Sequence, residues 1–570
     1  MRADRRRSWV VGGVVLGLWC SLGLVAQAGQ GPAAAAQVPD GVAFALLVER
    51  PGEAVGACLD LLDRFKGINP ELGRERLGQE VVKELGDNIL TPEGMRAFGL
   101  DPEGGGAVYG QQLEQDPAVL LPLSNPETFI AKLTALSQKG GQPFELLPKP
   151  VAGARLFKTG SGYLAVGPRQ ALLLNQLDSE AQAAKSVEAA LGGGKKLAAS
   201  KLFQKALAGL QPGAHAVLYM DFARVGKGAL AELDQGIQAE QKYAGSLPAE
   251  QKKARLADVA RMQAVRKKFA ALLAKFDVFG WSLRLEPRIL ASDMFLGALP
   301  AGKKLLQDAF PAGGPTAFHA ALAGHSLWSG WLSLRLAGFL ALLADLPDGS
   351  YRTLGDGLAE ADKEFKQEMG LGLLKDVFGN LKEPMGFYFL SPDLSGLKAD
   401  EPMQQQIMRL FKVACVARVN DAARLDQLIA KVAEKATAAG QAPEVVELDG
   451  AKLQVFRPEP GLVFALGRKG DAALLGFGQD ALAELIRASV PGGLAGAAQG
   501  DLRGVGRVDV AAVSELLSSA VAKNIGGQEG MGFRMLWPMI QQVLGQVASL
   551  ELEGRLPTGG LQARWTLNFR

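Results

Sequence analysis

The chain has 570 residues, 48% hydrophobic and 21% charged, with a net charge of +3. That is ordinary globular usage, long enough for two to four domains, and it excludes a disordered or low-complexity chain. So small a net charge sets up no global field to draw nucleic acid or anionic membranes.

The N-terminus carries Arg2, Arg5, Arg6 and Arg7, then an apolar stretch from Trp9 to Val25, then Ala26-Gln27-Ala28. A basic region, a short apolar core and a small-x-small site are the layout of a secretory signal peptide. Residues 1–28 are therefore expected to be removed, and the mature chain to be exported to the periplasm or cell envelope. A single transmembrane anchor is the competing reading, but the stretch is short for a span and contains Gly and Ser. Losing four Arg and one Asp takes 62 basic and 59 acidic residues to 58 of each. The mature chain keeps Cys58 and Cys415, far apart in sequence. Both read as small buried hydrophobes, so no disulfide framework and no disulfide-linked partner is expected.

Residues 29–37 read as an Ala/Gly-rich linker. Next come an apolar strand, Val42 to Val48, a helical stretch, and strands near Ala107 and over Val119 to Leu123. Asn125-Pro126-Glu127 reads as a helix start, with Phe129, Ile130 and Leu133 as the apolar face. A meander of short strands follows, and two long strands, Val278 to Leu285 and Ile289 to Leu296, close this half.

The same signals return after a long period of about 270 residues. Gly153-Ala154-Arg155-Leu156 answers Gly450-Ala451-Lys452-Leu453, and Tyr163 to Gly167 answers Val463 to Gly467. Asp221-Phe222-Ala223 answers Asp509-Val510-Ala511, and Ser282 to Glu286 answers Ser549 to Glu553. Gly106-Ala107-Val108-Tyr109 answers Gly386-Phe387-Tyr388-Phe389. The expected organisation is two tandem α+β repeats, 38–300 and 312–570, joined by a linker at 301–311. Polar and apolar residues alternate in Ser282 to Glu286 and in Leu550 to Glu553. Such strands favour an antiparallel sheet with one wet face, so the helices are expected on one face only.

Three features recur in this order: an apolar strand entering a helix; Gly370 to Asp376 ahead of Gly386-Phe387-Tyr388; and a strand running into Asn125-Pro126-Glu127. This resembles uncharacterised bacterial exported proteins of the domain-of-unknown-function kind. The resemblance implies an envelope location and supplies no catalytic residues.

Chemistry-bearing motifs are scarce. The histidines are His215, His319 and His325, and there is no Cys-x-x-Cys or His-Glu-x-x-His, so a zinc site lacks its usual ligands. Gly324-His325-Ser326-Leu327-Trp328 lacks the second glycine of a nucleophile elbow, and no later histidine follows it. Gly192-Gly193-Gly194-Lys195-Lys196 has no Ser or Thr after its lysine and reads as a helix C-cap. The basic stretch Glu250 to Phe276 carries Leu256, Val259, Met262, Val265, Phe269 and Leu272 at helical spacing. It could lie on anionic lipid, but a core-facing helix with a solvated outer face accounts for it. No catalytic, cofactor or metal residue is assigned. The expected function is a non-catalytic structural, assembly or binding role, with an envelope protein or a lipid as possible partner. The alternatives are carriage of an apolar, lipid-like ligand between sheet and helices, and a carboxylate-dependent hydrolase, which needs no motif.

Overall fold

A computed structural model describes residues 33–66, 71, 73–111, 117–140, 144–160, 162–175, 177, 179–312, 326–348, 352–391, 412–459, 462–478, 483, 486, 500–522 and 531–570. The chain forms two compact units, residues 1–235 with 276–298, and residues 236–275 with 299–570.

The first unit begins with a short 3-10 turn, Ala33–Ala36, inside the stretch read as a linker. Ala34 and Ala35 are buried in the core, and Ala34 N–H donates to Glu49 Oε1 at 3.1 Å. Gly105 lets the turn approach, because a Cβ there would stand 2.7 Å from Ala34 N. The remaining elements follow in chain order: β1 (Phe44–Val48), α1 (Pro51–Asp63), α2 (Arg74–Leu85), α3 (Pro92–Phe98), β2 (Gly106–Gly110), β3 (Ala118–Pro122), α4 (Pro126–Lys139), β4 (Glu145–Leu146), β5 (Arg155–Thr159), β6 (Gly162–Val166), β7 (Gln170–Asn175), α5 (Glu180–Leu191), α6 (Lys201–Ala208), β8 (Ala216–Asp221), α7 (Phe222–Gly245) and α8 (Ala249–Leu273), of which residues 236–275 belong to the second unit, then β9 (Phe276–Glu286) and β10 (Ile289–Ala298). Local chemistry sets several starts. Thr91 and Asn125 accept hydrogen bonds from Gly94 N–H and Thr128 N–H, each with proline as the first helical residue.

The strands are antiparallel throughout, in the order β10-β9-β8-β1-β2-β3-β7-β6-β5-β4. Helices cover both faces, not one. Leu120, Tyr163, Ala165 and Leu172 pack with α5 and α6. Their neighbours Val119, Leu121, Leu164 and Val166 pack with α1, α3 and α4. The one-sided expectation came from the alternating strand β9. The central strands β2 and β6 are buried along their whole length, as strands covered on both sides must be.

The second unit continues with α9 (Pro300–Ala309), which takes up most of the stretch read as the 301–311 linker, β11 (Ser326–Leu332), α10 (Leu336–Leu343), α11 (Leu354–Met369), a π turn (Leu373–Phe378), β12 (Leu381–Leu390), β13 (Val413–Val419), α12 (Ala422–Ala438), β14 (Glu444–Leu448), β15 (Ala451–Glu459), β16 (Leu462–Lys469), β17 (Ala472–Phe477), β18 (Leu502–Asp509), α13 (Val510–Ala522), α14 (Met531–Gln546), β19 (Val547–Arg555) and β20 (Gly560–Phe569). Its antiparallel order is β20-β19-β18-β11-β12-β13-β17-β16-β15-β14. Each strand of the first order is replaced here by the one ten numbers later.

The matched blocks fall on strands at the same place in the two orders, with slips: Val108 stands where Phe387 stands and Leu164 where Leu466 stands, one and two residues off the matches, and the closing strands differ by four. The residue opposite Asp221 is Val278, and the residue opposite Asp509 is Ser549. Val278, not Ser282, therefore stands where Ser549 stands, and Leu283 and Leu285 lie four residues beyond the positions of Leu550 and Leu552. A strand of period two matches itself at any even shift, so local similarity could not detect the slip of four.

Candidate functional site

The residues singled out for chemistry are occupied structurally. His215 is buried, its Nδ1 lies 3.4 Å from the Gly213 carbonyl, and burial lowers its pKa. His319 and His325 lie outside the described residues. Cys58 and Cys415 are half-buried, and burial raises both thiols, the reverse of what a reactive cysteine needs. Ser326 opens strand β11, which ends at Leu332, and no helix follows the serine as a nucleophile elbow requires. Lys196 turns back onto the end of α5 and donates to the Ala189 and Ala190 carbonyls at 3.0 and 2.6 Å. That satisfies carbonyls at the helix C-terminus and leaves the amine no phosphate to reach. Asp221 accepts from Ala223 N–H and Arg224 N–H at the start of α7, as Asp509 accepts from Ala512 N–H at the start of α13. In the basic helix α8, Val259, Val265 and Leu272 are buried while Leu256 faces solvent.

Two hollows are present among the described residues. A small apolar one of about 20 Å³ lies among Val48, Pro51, Ile89, Met95 and Leu100. It has room for about one water, whereas a lipid-sized ligand needs several hundred Å³. A polar cleft of about 500 Å³ in the second unit is lined by Arg261, Lys268, Arg352, Asp356 and Glu360. Its charges are mutually paired, Lys268 to Asp356 at 3.1 Å and Arg352 to Glu360 at 2.7 Å. The Thr353 backbone N–H, then Lys268, holds the Asp356 carboxyl down at about 2. Among the described residues, no group of three His, Cys, Asp or Glu side chains could hold a metal ion, and no helix is long and apolar enough to cross a membrane.

The distinctive surface is one face of the second unit's sheet. Cross-strand pairing aligns Val508, Trp328, Phe389, Val413, Phe477 and Phe464 in one row from β18 to β16. The row beside it runs Leu552, Gly506, Gly330, Phe387, Cys415, Leu475 and Leu466. Aromatic contacts tie the rows together. Trp328 meets Phe387 edge-on at 5.0 Å, and Phe464 lies 6.4 Å from Phe477. Gly330 makes room for the Phe387 ring, since a Cβ there would stand 2.6 Å from Phe387 Cζ. The rows are apolar, and four of their side chains reach solvent: Trp328 is 42% exposed, Leu552 40%, Phe477 39% and Leu475 37%, while Leu466 packs under α12.

The same face of the first unit is closed. There Leu46, Val108, Val119, Leu173 and Leu164 form the equivalent row, packed with Val55 and Leu59 of α1 and with α3 and α4. On the same helix, Ala54 and Cys58 cover Leu283 and Leu285 of β9. In the second unit the helix that follows β11 as α1 follows β1 is α10. It packs instead on α9: Arg335 N–H donates to the Ala309 carbonyl at 2.9 Å, and Phe339 meets Phe310 at 5.9 Å. None of its residues is buried, although the sequence is Leu-Ala-Gly-Phe-Leu-Ala-Leu-Leu. Sequence reasoning missed this surface, because both halves carry apolar strands and only helix placement separates them.

The chain matches no known family model, no curated protein and no solved structure.

Proposed function

We propose that the chain is a tandem duplication of one α+β unit, exported to the cell envelope, and that its role is to bind another polypeptide rather than to catalyse a reaction. The duplication is supported by the two matching strand orders. It is supported too by paired turns in which both residues have positive φ, Ala152-Gly153 before β5 and Asp449-Gly450 before β15. Export rests on the charge and hydropathy of residues 1–28.

The observation that carries the binding role is the contrast between the units. One sheet face is sealed by helices in the first unit, whereas in the second, among the described residues, α12 covers one end and Trp328, Phe477, Leu475 and Leu552 stay exposed. Monomeric soluble proteins rarely expose contiguous apolar patches beyond a few hundred Å² unless something binds there. The test is native mass spectrometry of the mature protein isolated from its host envelope, alongside a Trp328→Asp variant. A stoichiometric polypeptide on the wild type that is lost from the variant is the expected result. Lipid adducts in its place would replace this reading with carriage of an apolar ligand.

A further inference from the structure

We infer that the polar cleft of the second unit is a binding site for a small molecule bearing a phosphate monoester. Its walls are Arg261 and Lys268 of α8 on one side, and Arg352, Asp356 and Glu360 around the start of α11 on the other. The site is separate from the apolar rows of the sheet, and it gives the basic stripe of α8 a use.

The cleft is built from two helix faces. Arg261, Ala264, Val265 and Lys268 recur at three and four along α8, so they share one face. Asp356 and Glu360 are four apart on α11, and Arg352 precedes its N-cap, Thr353. Lys268 fixes one end: its Nζ donates to Thr353 Oγ1 at 3.3 Å and to Asp356 Oδ1 at 3.1 Å. Ala264 sets only a methyl between the two cations of α8, and the cleft holds about 500 Å³. That falls within the range of small-ligand sites, about 300–1,000 Å³. The helix N-terminus itself takes no part, because the first N–H groups of α11 are already held. Leu354 N–H donates to the Leu346 carbonyl, Gly355 N–H to Ala344, and Asp356 N–H to Thr353.

Charge and donor geometry select the ligand. Arg261, Lys268 and Arg352 line the cleft against two carboxylates, so an anion is favoured. Among the described residues each guanidinium makes one side-chain contact. Arg261 Nη1 donates to Asp258 Oδ1 at 3.1 Å, and Arg352 Nη2 donates to Glu360 Oε2 at 2.7 Å. A guanidinium carries five N–H donors in a planar fork, so most of each fork is left over. A single carboxylate has two oxygens, which one fork fills. A phosphate monoester carries a charge of about −1.5 to −2 at pH 7 and three terminal oxygens, enough to accept from both forks.

The probe is glycerol phosphate, titrated by isothermal calorimetry against the full mature chain in phosphate-free buffer. One saturable site is expected, with a Kd of about 1 mM or below. Arg261→Gln and Arg352→Gln should each weaken it about tenfold or more, with the melting temperature unchanged. Lys83→Gln, at an exposed cation of the first unit, should leave it as it was. Should both arginine variants misfold, the wild type still decides. Sulfate, a tetrahedral dianion, should then displace the probe, and chloride at the same ionic strength should not.

A phosphate monoester can be soluble or the head group of a lipid, so a second arm uses phosphatidic acid–phosphatidylethanolamine vesicles. Calorimetric binding without flotation identifies a soluble ligand. Flotation that both arginine substitutions abolish identifies a lipid head group in the same site. Failure of both arms, or binding that survives both substitutions, overturns the proposal. So does displacement by chloride equal to that by sulfate, which would reduce the effect to charge screening. Succinate bound as tightly as glycerol phosphate through the same arginines overturns the phosphate and identifies a carboxylate ligand.

Discussion

Ala152 and Asp449 hold φ of 49° and 46°, each followed by a glycine of positive φ, in the tight turns that lead into β5 and β15. Such turns match the right-handed twist of the flanking strands but put a side chain in the left-handed region. Aspartate tolerates that conformation through local hydrogen bonding, and alanine does not. Ala152→Asn should therefore raise stability by about 0.5–1 kcal/mol, read as a higher urea midpoint at unchanged slope. At the start of α11, Thr353 and Asp356 form a reciprocal capping box, and Lys268 donates to the same carboxylate at 3.1 Å. The folded pKa of Asp356 lies near 2, below its ordinary value, so the stabilisation it gives is present above about pH 4. It fades as pH falls through that folded pKa. Asp356→Ala is expected to cost about 1 kcal/mol at pH 7, and the gap from wild type should narrow as unfolding is repeated from pH 5 down to pH 3.

At the scale of elements, α10 and the π turn decide how open the second unit is. Gly338→Leu would drive a side chain into the Asp308 carbonyl and separate α10 from α9. The expected cost is about 1–3 kcal/mol, with hydrogen-exchange protection lost over α9 and α10 and kept over β12 and β13. Uniform loss across the second unit would show that α10 supports the sheet after all. Asn380 clips the end of the π turn to the start of α12. Its Oδ1 accepts from Asp421 N–H at 2.7 Å, and its Nδ2 donates to the Asp421 carbonyl at 2.8 Å. The Arg424–Asp376 ion pair lies beside it. Asn380→Leu removes both bonds and leaves the Asp421 N–H without this acceptor, while the Asp421 carbonyl keeps Leu425 N–H; it should destabilise by about 1 kcal/mol in thermal or urea unfolding. These contacts hold α12 over one end of the sheet face, where Leu425 and Ile429 meet Leu466 and Ala473. The aromatic end stays open.

For the molecule as a whole, the N-terminal segment joins the export reading to the fold. Cleavage after Ala28 would leave four residues ahead of the buried turn Ala33–Ala36, which plugs the first unit beside Gly105. Deleting residues 1–28 should leave the melting temperature unchanged. Deleting residues 1–37 should lower stability by about 2 kcal/mol, because two buried alanines and the partner of Glu49 are lost together.

Much of this molecule was legible in its amino-acid order. Asn125-Pro126-Glu127 announced α4, and Gly192 to Lys196 announced the end of α5, because capping is chemistry between near neighbours. The strands were legible through their apolar pattern, as was their recurrence in order. The four-residue offset between β9 and β19 was not legible, since periodic strands resemble themselves at even shifts. Nor could the pattern reveal that the first unit is sheathed on both faces, or that Trp328, Phe477, Leu475 and Leu552 stay exposed on the corresponding face of the second. A run such as Leu336 to Leu343 states only that a helix is apolar. Whether it lies on the sheet or on α9 depends on close packing between segments distant along the chain, here Gly338 against Asp308. The sequence by itself determined the elements, their ends and their order. Tertiary packing alone decided which apolar surfaces the chain closes on itself and which side chains, such as Trp328 and Phe477, it leaves exposed.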